Sequence, residues 1–326
     1  MVWIGFIAFV FAALAFDLGV LNKEAHVVST REAFRWTTVW VSLSLLFSVF
    51  VYFGYENHWL GLGDTIGHDI GGMEAAITYL TGYIIEQSLS MDNIFVIAVI
   101  FGYFHIPPKY QHRVLFWGIL GALFFRGILI GAGAFLVERF QFIMYVFGAI
   151  LLWTAYKMVK SDGDDIHPEE NPIVLQLRKF LPVTTLMKQE QFFVRRFGKI
   201  VAVTPLFVAL VVVETTDIMF AFDSIPAIFA ITTDPFLVFT SNIFAILGLR
   251  SLYFVLASLL DRFVYLKYSL AAILGFVGLK MLVLHPLHID LPVWSSLVVI
   301  IAFLAGGILI SLRKSKASEK ATTKNA

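Results

Sequence analysis

The chain has 326 residues, 59% apolar and 14% charged, with a mean hydropathy of +0.83, which excludes an ordinary water-soluble domain. A formal net charge of +1 gives no basis for nucleic-acid binding. Cysteine is absent, so disulfides, thiolate metal sites and thiol redox chemistry within the chain are excluded as well.

The first apolar run covers residues 2–21. Ala13-Leu14-Ala15 resembles a signal-cleavage site, but no basic segment precedes the run and one follows it, from Lys23 to Arg35. A retained first span is therefore expected, with Asp17 as an interfacial or helix-contact residue. Further runs follow at about 37–55, 75–104, 114–136, 140–158, 200–232, 236–257, 265–284 and 293–312. Each is long enough for a bilayer core of about 30 Å. Backbone exposed to lipid must satisfy its own hydrogen bonds, so such runs read as helices, and the alternating strands of a membrane barrel are not seen. The expected fold is all-α, a polytopic membrane bundle of about nine spans. With the N-terminus outside, the loop Lys and Arg residues collect on the cytosolic side and only Arg139 falls opposite; Arg126, Arg250 and Lys280 lie within spans. The excess assigns the N-terminus to the outer side and the C-terminus to the cytosol. The outer loops carry Glu56, Asp64, Asp69, Glu74, Asp234 and Asp290 instead. The 159–199 loop, acidic then basic, reads as a solvated or membrane-surface connector, and the basic tail 313–326 as disordered.

The chain repeats itself. Arg139-Phe-Gln-Phe-Ile-Met-Tyr145 with Lys157-Met158 returns 123 positions later as Arg262-Phe-Val-Tyr-Leu-Lys-Tyr268 with Lys280-Met281; Arg126 matches Arg250 at 124 and Asp92 matches Asp217 at 125. Each copy holds three spans, an odd number, so the second is inverted. The organisation expected is two N-terminal spans (1–74), a first three-span repeat (75–158), the cytoplasmic loop (159–199), an inverted repeat (200–284), a final span (293–312) and the tail. Inverted repeats are a transporter signature, with the binding site near the midplane between the copies.

The third run carries Glu86-Gln-Ser-Leu-Ser-Met-Asp92-Asn93, and the sixth carries Glu214-Thr-Thr-Asp217 followed by Asp223-Ser-Ile-Pro226. Five carboxylates facing lipid, at roughly 2.5–3.5 kcal/mol each, would cost on the order of 12–18 kcal/mol, so they face the bundle interior. Glu214 and Asp217 share a helix face. Asp223, about 600° past Asp217, joins them only if the helix unwinds or serves a second wall. Pro226 frees the carbonyl of Phe222, and a 200–232 helix would be about 50 Å long, which favours a break. The structural alternative is that the acids pair with Arg126 and Arg250, Lys280 snorkelling nearer an end. Five acids against three bases leave two surplus negative charges, 5 − 3 = 2. On that count, neutralising Asp92, Asp217 or Asp223 should leave the protein at normal levels.

Carboxylates, hydroxyls, the Asn93 and Asn242 amides and backbone carbonyls suit a hard divalent cation such as Mg²⁺, Ca²⁺ or Mn²⁺. No histidine lies at the centre of a span; His58, His68, His285 and His288 fall in outer loops. The expected metal set is Glu86, Asp92, Asn93, Glu214, Asp217 and Asp223, with Arg126, Arg250, Asn242 and Lys280 as charge-pairing or gating residues. The segments Glu86–Asn93 and Glu214–Pro226, with Asn242, Arg250 and Lys280, resemble the TerC family, its Alx-like branch above all, over residues 30 to 312. That family looks related to LysE-type transporters. The resemblance implies a bacterial inner-membrane protein linked to manganese export, with associations to tellurite resistance and to alkaline or redox response. Manganese over magnesium or calcium comes from the resemblance.

A secondary transporter is therefore expected. Mn²⁺ is its substrate rather than a cofactor, and the lipid bilayer its surroundings. Protons are the counter-ion considered first, since acids crowded into one desolvated cavity do not all ionise when it is empty. No P-loop is present, and without a Ser/His or His-rich set no enzyme is expected. A non-transporting membrane protein of a redox, alkaline or tellurite response is the alternative. Coupling ion, direction and oligomeric state stay open, a homo-oligomer included.

Overall fold

The structure is a computed structural model that describes residues 1–16, 28–140, 142–160, 175–176, 182–184, 191–196, 199–257, 266–284 and 291–324. The elements that carry the argument are α1 (Val2–Phe16), α2 (Thr30–Glu56), α3 (Gly72–Tyr103), α4 (Pro108–Arg139), α5 (Ile143–Lys160), a hairpin of β1 (Phe193–Arg196) and β2 (Lys199–Val203), α6 (Pro205–Phe229), α7 (Pro235–Leu256), α8 (Leu266–Leu279) and α9 (Val293–Lys324). Helix starts follow local chemistry. Proline occupies the first turn of α4, α6 and α7, where its missing N–H costs nothing. Thr204 and Asp234 cap α6 and α7 with side-chain oxygens, and Ser29 caps α2 by accepting from Glu32 N at 3.3 Å.

Eight of the described helices are long and apolar enough to cross a membrane. The chain is a multi-pass membrane helix bundle. The first run is described as a helix of 15 residues; Asp17 lies outside the described residues, as do the acidic front of the 159–199 loop and Arg262 to Tyr265 of the second repeat. Three features differ from the sequence reading. The sixth run is not one long helix, because residues 199–203 pair antiparallel with 193–196. Pro205 explains the boundary: it cannot donate to a preceding turn and holds Thr204 extended. Nor does α6 break at Pro226, which sits three residues before the helix ends, so that the lost hydrogen bond falls in its last turns. Beyond Leu312 the backbone stays helical to Lys324 rather than disordered, since 313–324 hold no Gly or Pro and several good helix formers.

Six helices form the centre. α3 packs on α7 and α4 on α6, while α5 lies along α8; α3 also meets α6, and α4 meets α7. Exchanging α3, α4 and α5 for α6, α7 and α8 turns the first contact into the second and returns the others to themselves. Among these five contacts the exchange is reciprocal, whereas α5 meets α6 more extensively than α8 meets α3. α2 covers α3 and α7, and α9 covers α8 and α3. α1 presents Val2, Phe6, Val10 and Leu14 at four-residue spacing, Phe6 meeting Phe47, Phe236 and Phe244 with ring centroids 5.5–6.3 Å apart. One apolar layer holds Tyr79, Tyr83, Phe236 and Phe244; another holds Ile100, Phe101, Leu206, Val213 and Tyr253. Large apolar side chains such as Leu46, Phe124, Phe135, Trp153 and Ile301 remain exposed on the outside of the bundle, as lipid contact requires.

Candidate functional site

Four helices meet around a buried cation. Arg126, on α4, has a side chain only 1% exposed. Its Nε and Nη2 donate to the two carboxylate oxygens of Asp217, on α6, at 3.1 and 2.9 Å. Such a two-point fork fixes both groups in one geometry. Nη1 donates to Glu86 Oε1, on α3, and reaches Ser224 Oγ at 3.3 Å and Asn242 Oδ1 at 3.5 Å. Asn242, on α7, donates from Nδ2 to Glu86 Oε2 at 2.9 Å, and Asn93 Nδ2 donates to Asp217 Oδ1 at 3.1 Å. Both carboxylates and the guanidinium are thereby satisfied without water, as burial in an apolar bundle demands.

Helix phase selects the residues. Glu86 and Asn93 are seven apart, about 20° from one line along α3, and Asp217 and Ser224 repeat that spacing on α6. Asp92 and Asp223 stand one residue before those partners and point about a third of a turn away. Asp92 is half-buried and makes no hydrogen bond or ion pair among the described residues. Asp223 accepts from Thr154 Oγ1 on α5 at 2.7 Å, so it serves the second wall that its phase allowed. Glu214 does share a face with Asp217, but its carboxyl rests on α4 beside Gly121, where any Cβ would overlap it. Its Oε2 is buried and without a hydrogen-bond partner. Arg250 lies outside the network around Glu86 and Asp217, and Lys280 donates to Ser296 Oγ at 3.1 Å at the far end of α8.

Of the residues expected from the sequence, the structure brings together Glu86, Asn93, Asp217, Arg126 and Asn242, and it does not bring Asp92, Asp223, Arg250 or Lys280 to them. Ser224 and Gly121 belong to the site and were not singled out; the seven-residue spacing from Asp217 is the signal that points to Ser224. Among the described residues no three His, Cys, Asp or Glu side chains stand close enough to hold a metal ion by themselves. Arg126 fills the space between Glu86 and Asp217, and phase turns two of the other acids aside. A cavity of about 20 Å³, room for roughly one water molecule, lies next to Asp217 and is lined by Asn93, Gly118, Ala122, Thr216 and Leu249 among others. Asn93 Oδ1 is buried there without a hydrogen-bond partner. The groups around the guanidinium are carboxylate, amide and hydroxyl oxygens, the set that suits a hard ion.

The family described as integral membrane protein TerC family matches residues 71–319 of the chain. An uncharacterized membrane protein of Myxococcus xanthus, STKORF319, is 48% identical over 314 residues, covering 96% of this chain and 92% of its own. Proteins named "Putative membrane-bound redox modulator Alx" are 45% identical: that of Salmonella typhi over 312 residues (95% of this chain, 94% of its own) and that of Escherichia coli K12 over 294 (90% and 89%). No solved structure matches.

Proposed function

The chain belongs to the TerC family of integral membrane proteins, and from that premise we propose that it is an inner-membrane secondary transporter that exports a divalent cation, Mn²⁺ foremost, through the Glu86–Asp217 centre. Arg126 pairs Glu86 and Asp217 as the structural alternative expected; the observation that carries the proposal is the oxygens left over beside that pair, Asn93 Oδ1 on α3 and Glu214 Oε2 on α6, both buried without a hydrogen-bond partner. These helices head the two copies of the sequence repeat. A cation bound there joins the halves, and rocking one half against the other exposes it to alternate sides. Glu86 and Asp217 supply charge, and Asn93, Asn242 and Ser224 supply neutral oxygens. The resemblance selects Mn²⁺; residue chemistry supports a hard divalent ion. The N-terminus is periplasmic and the C-terminus cytoplasmic on this reading, and protons are the counter-ion, displaced from the carboxylates as metal enters. No enzymatic role is proposed.

The test is flux in proteoliposomes presented in turn with Mn²⁺, Mg²⁺, Ca²⁺ and Zn²⁺. Mn²⁺ should move, with an opposed proton flux, and Asp217→Asn should abolish both. Folded protein that moves none of the four would overturn the proposal. The name of the Alx relatives favours a second reading, a modulator of redox balance. Without cysteine, this chain would exert such an effect through other components rather than through thiols of its own. Normal manganese content in cells lacking the protein, with an altered redox response, would select that reading.

A further inference from the structure

We propose that Arg126 is a tethered counter-cation with two stations: it fills the site between Glu86 and Asp217 when no metal is bound, and it withdraws to Glu214 when a divalent cation enters. The proposal rests on the transporter reading above and adds what sets the site's affinity and its preference for divalent ions.

Three observations carry it. First, the guanidinium occupies the place a metal would need, bonded to both carboxylates and within 3.5 Å of Ser224 and Asn242. Second, a route of withdrawal exists. Side chains on a helix lean toward its N-terminus, so the position four residues back, Ala122, lies under the Arg126 stem. Ala122 lines the cavity beside Asp217, as does Gly118 one turn further on. Third, a second partner waits at the end of that route. Glu214 lies one turn before Asp217 on α6, about 4.5 Å along the axis, with its carboxyl against Gly121 of α4 and Oε2 buried without a hydrogen-bond partner. A shift of about one helix turn along α6 carries the guanidinium from the level of Asp217 to that of Glu214.

Charge makes the move necessary. With metal between Glu86 and Asp217 and the guanidinium still in place, the centre would hold +2 + 1 − 2 = +1 in apolar surroundings, a charge that the Glu214 carboxyl is placed to balance once it gives up its proton. After withdrawal the metal balances Glu86 and Asp217, and Arg126 balances Glu214. Isolated charge in a low-dielectric interior is costly, so the second arrangement prevails. A monovalent ion brings no more charge than the guanidinium it must displace and lacks the tether, which disfavours it. Arg126 thereby acts as a positioning and selectivity residue.

The experiment is equilibrium Mn²⁺ binding to the purified full-length protein in lipid nanodiscs, arranged as a double-mutant cycle of Arg126→Gln and Glu214→Gln. Arg126→Gln removes the competitor and should tighten Mn²⁺ binding about tenfold, the size expected from losing a charge-assisted hydrogen bond. Glu214→Gln removes the second station and should weaken binding about tenfold in the otherwise native protein, yet change it less than about twofold beside Arg126→Gln. If Arg126→Gln does not fold, Arg126→Lys, which keeps the charge but loses the fork, takes its place and should tighten binding in the same direction. Weaker binding on losing the arginine, or an equal effect of Glu214→Gln in both backgrounds, would overturn the proposal while leaving the transporter reading intact. No Mn²⁺ binding by the native protein or any variant would overturn both.

Discussion

Asp217 and Asp92 are both aspartates within apolar spans, and their surroundings give them different costs of removal. Asp217 is bonded twice by Arg126 and once by Asn93. Asp217→Asn leaves a buried guanidinium half-compensated and should destabilise the protein by about 3–5 kcal/mol. Asp92 has no such partner, and Asp92→Asn should stay within about 0.5 kcal/mol of the parent. Thermal unfolding in one lipid system distinguishes the two, and equal losses would contradict the arrangement described here. The charge count alone led to the expectation that either change would spare protein levels; the Arg126 fork alters that for Asp217. Gly121 provides a second test at this scale. A methyl group there would occupy the place of the Glu214 carboxyl, so Gly121→Ala should displace Glu214 and slow Mn²⁺ flux severalfold, with helix content in circular dichroism unchanged.

Asp234 shows how one side chain can tie elements together. It sits in a loop, yet it is fully buried. Its Oδ1 accepts from Phe236 N and Leu237 N at 2.9 and 3.1 Å, capping α7. Its Oδ2 accepts from Tyr55 Oη at 2.7 Å and His68 N at 2.8 Å, which fastens the 57–71 connection and the end of α2 to the turn between α6 and α7. Gly67 lies so close, at φ +80°, that a Cβ would overlap both Asp234 and Tyr55. Tyr55→Phe should cost about 1 kcal/mol, because Asp234 keeps three donors. Asp234→Ala should cost more than about 2 kcal/mol, since a cap and the loop clasp go together. Unfolding midpoints of the two variants check that order; a reversed order would mean that the clasp contributes little.

For the whole molecule, the positive-inside assignment predicts where labels enter. Cysteines placed singly in this cysteine-free chain at Asp64 and Asp69, both exposed, should react with an impermeant reagent from outside, and one at Lys109 only after permeabilisation. A cysteine at Asp234 should stay unlabelled in either case, because that position is buried although it lies in a connection between spans. Labelling of Lys109 from outside in intact cells would reverse the topology. The bundle itself encloses its centre between two apolar layers, so a cation reaches Glu86 and Asp217 only when one layer parts. On the proposed alternating-access reading, the packing of α3 with α7 and of α4 with α6 forms the two seams that part in turn. Cross-linking α3 to α7 should therefore stop Mn²⁺ flux while leaving equilibrium binding measurable in detergent.

Much of this protein follows from its chain without a structure. Lipid demands helices, so long apolar runs dictate an all-α bundle. The prolines at 108, 205 and 235 stand in first turns, where a missing N–H costs nothing, a signal that the apolar runs drawn from 114, 200 and 236 did not use. The cost of charge in an apolar span places the acids inward, and phase alone already separates Asp223 from Asp217. What the sequence could not decide is which acid meets which base. Arg126 and Arg250 are equivalent in the repeat, yet Arg126 is the one that joins Glu86 and Asp217, 40 and 91 positions away, while Asn242 reaches Glu86 across 156. Those pairings depend on the rotation and depth of one helix against another, which packing of distant side chains sets. Local spacing can say only which residues share a face, and the face that meets a partner is a property of the assembled bundle.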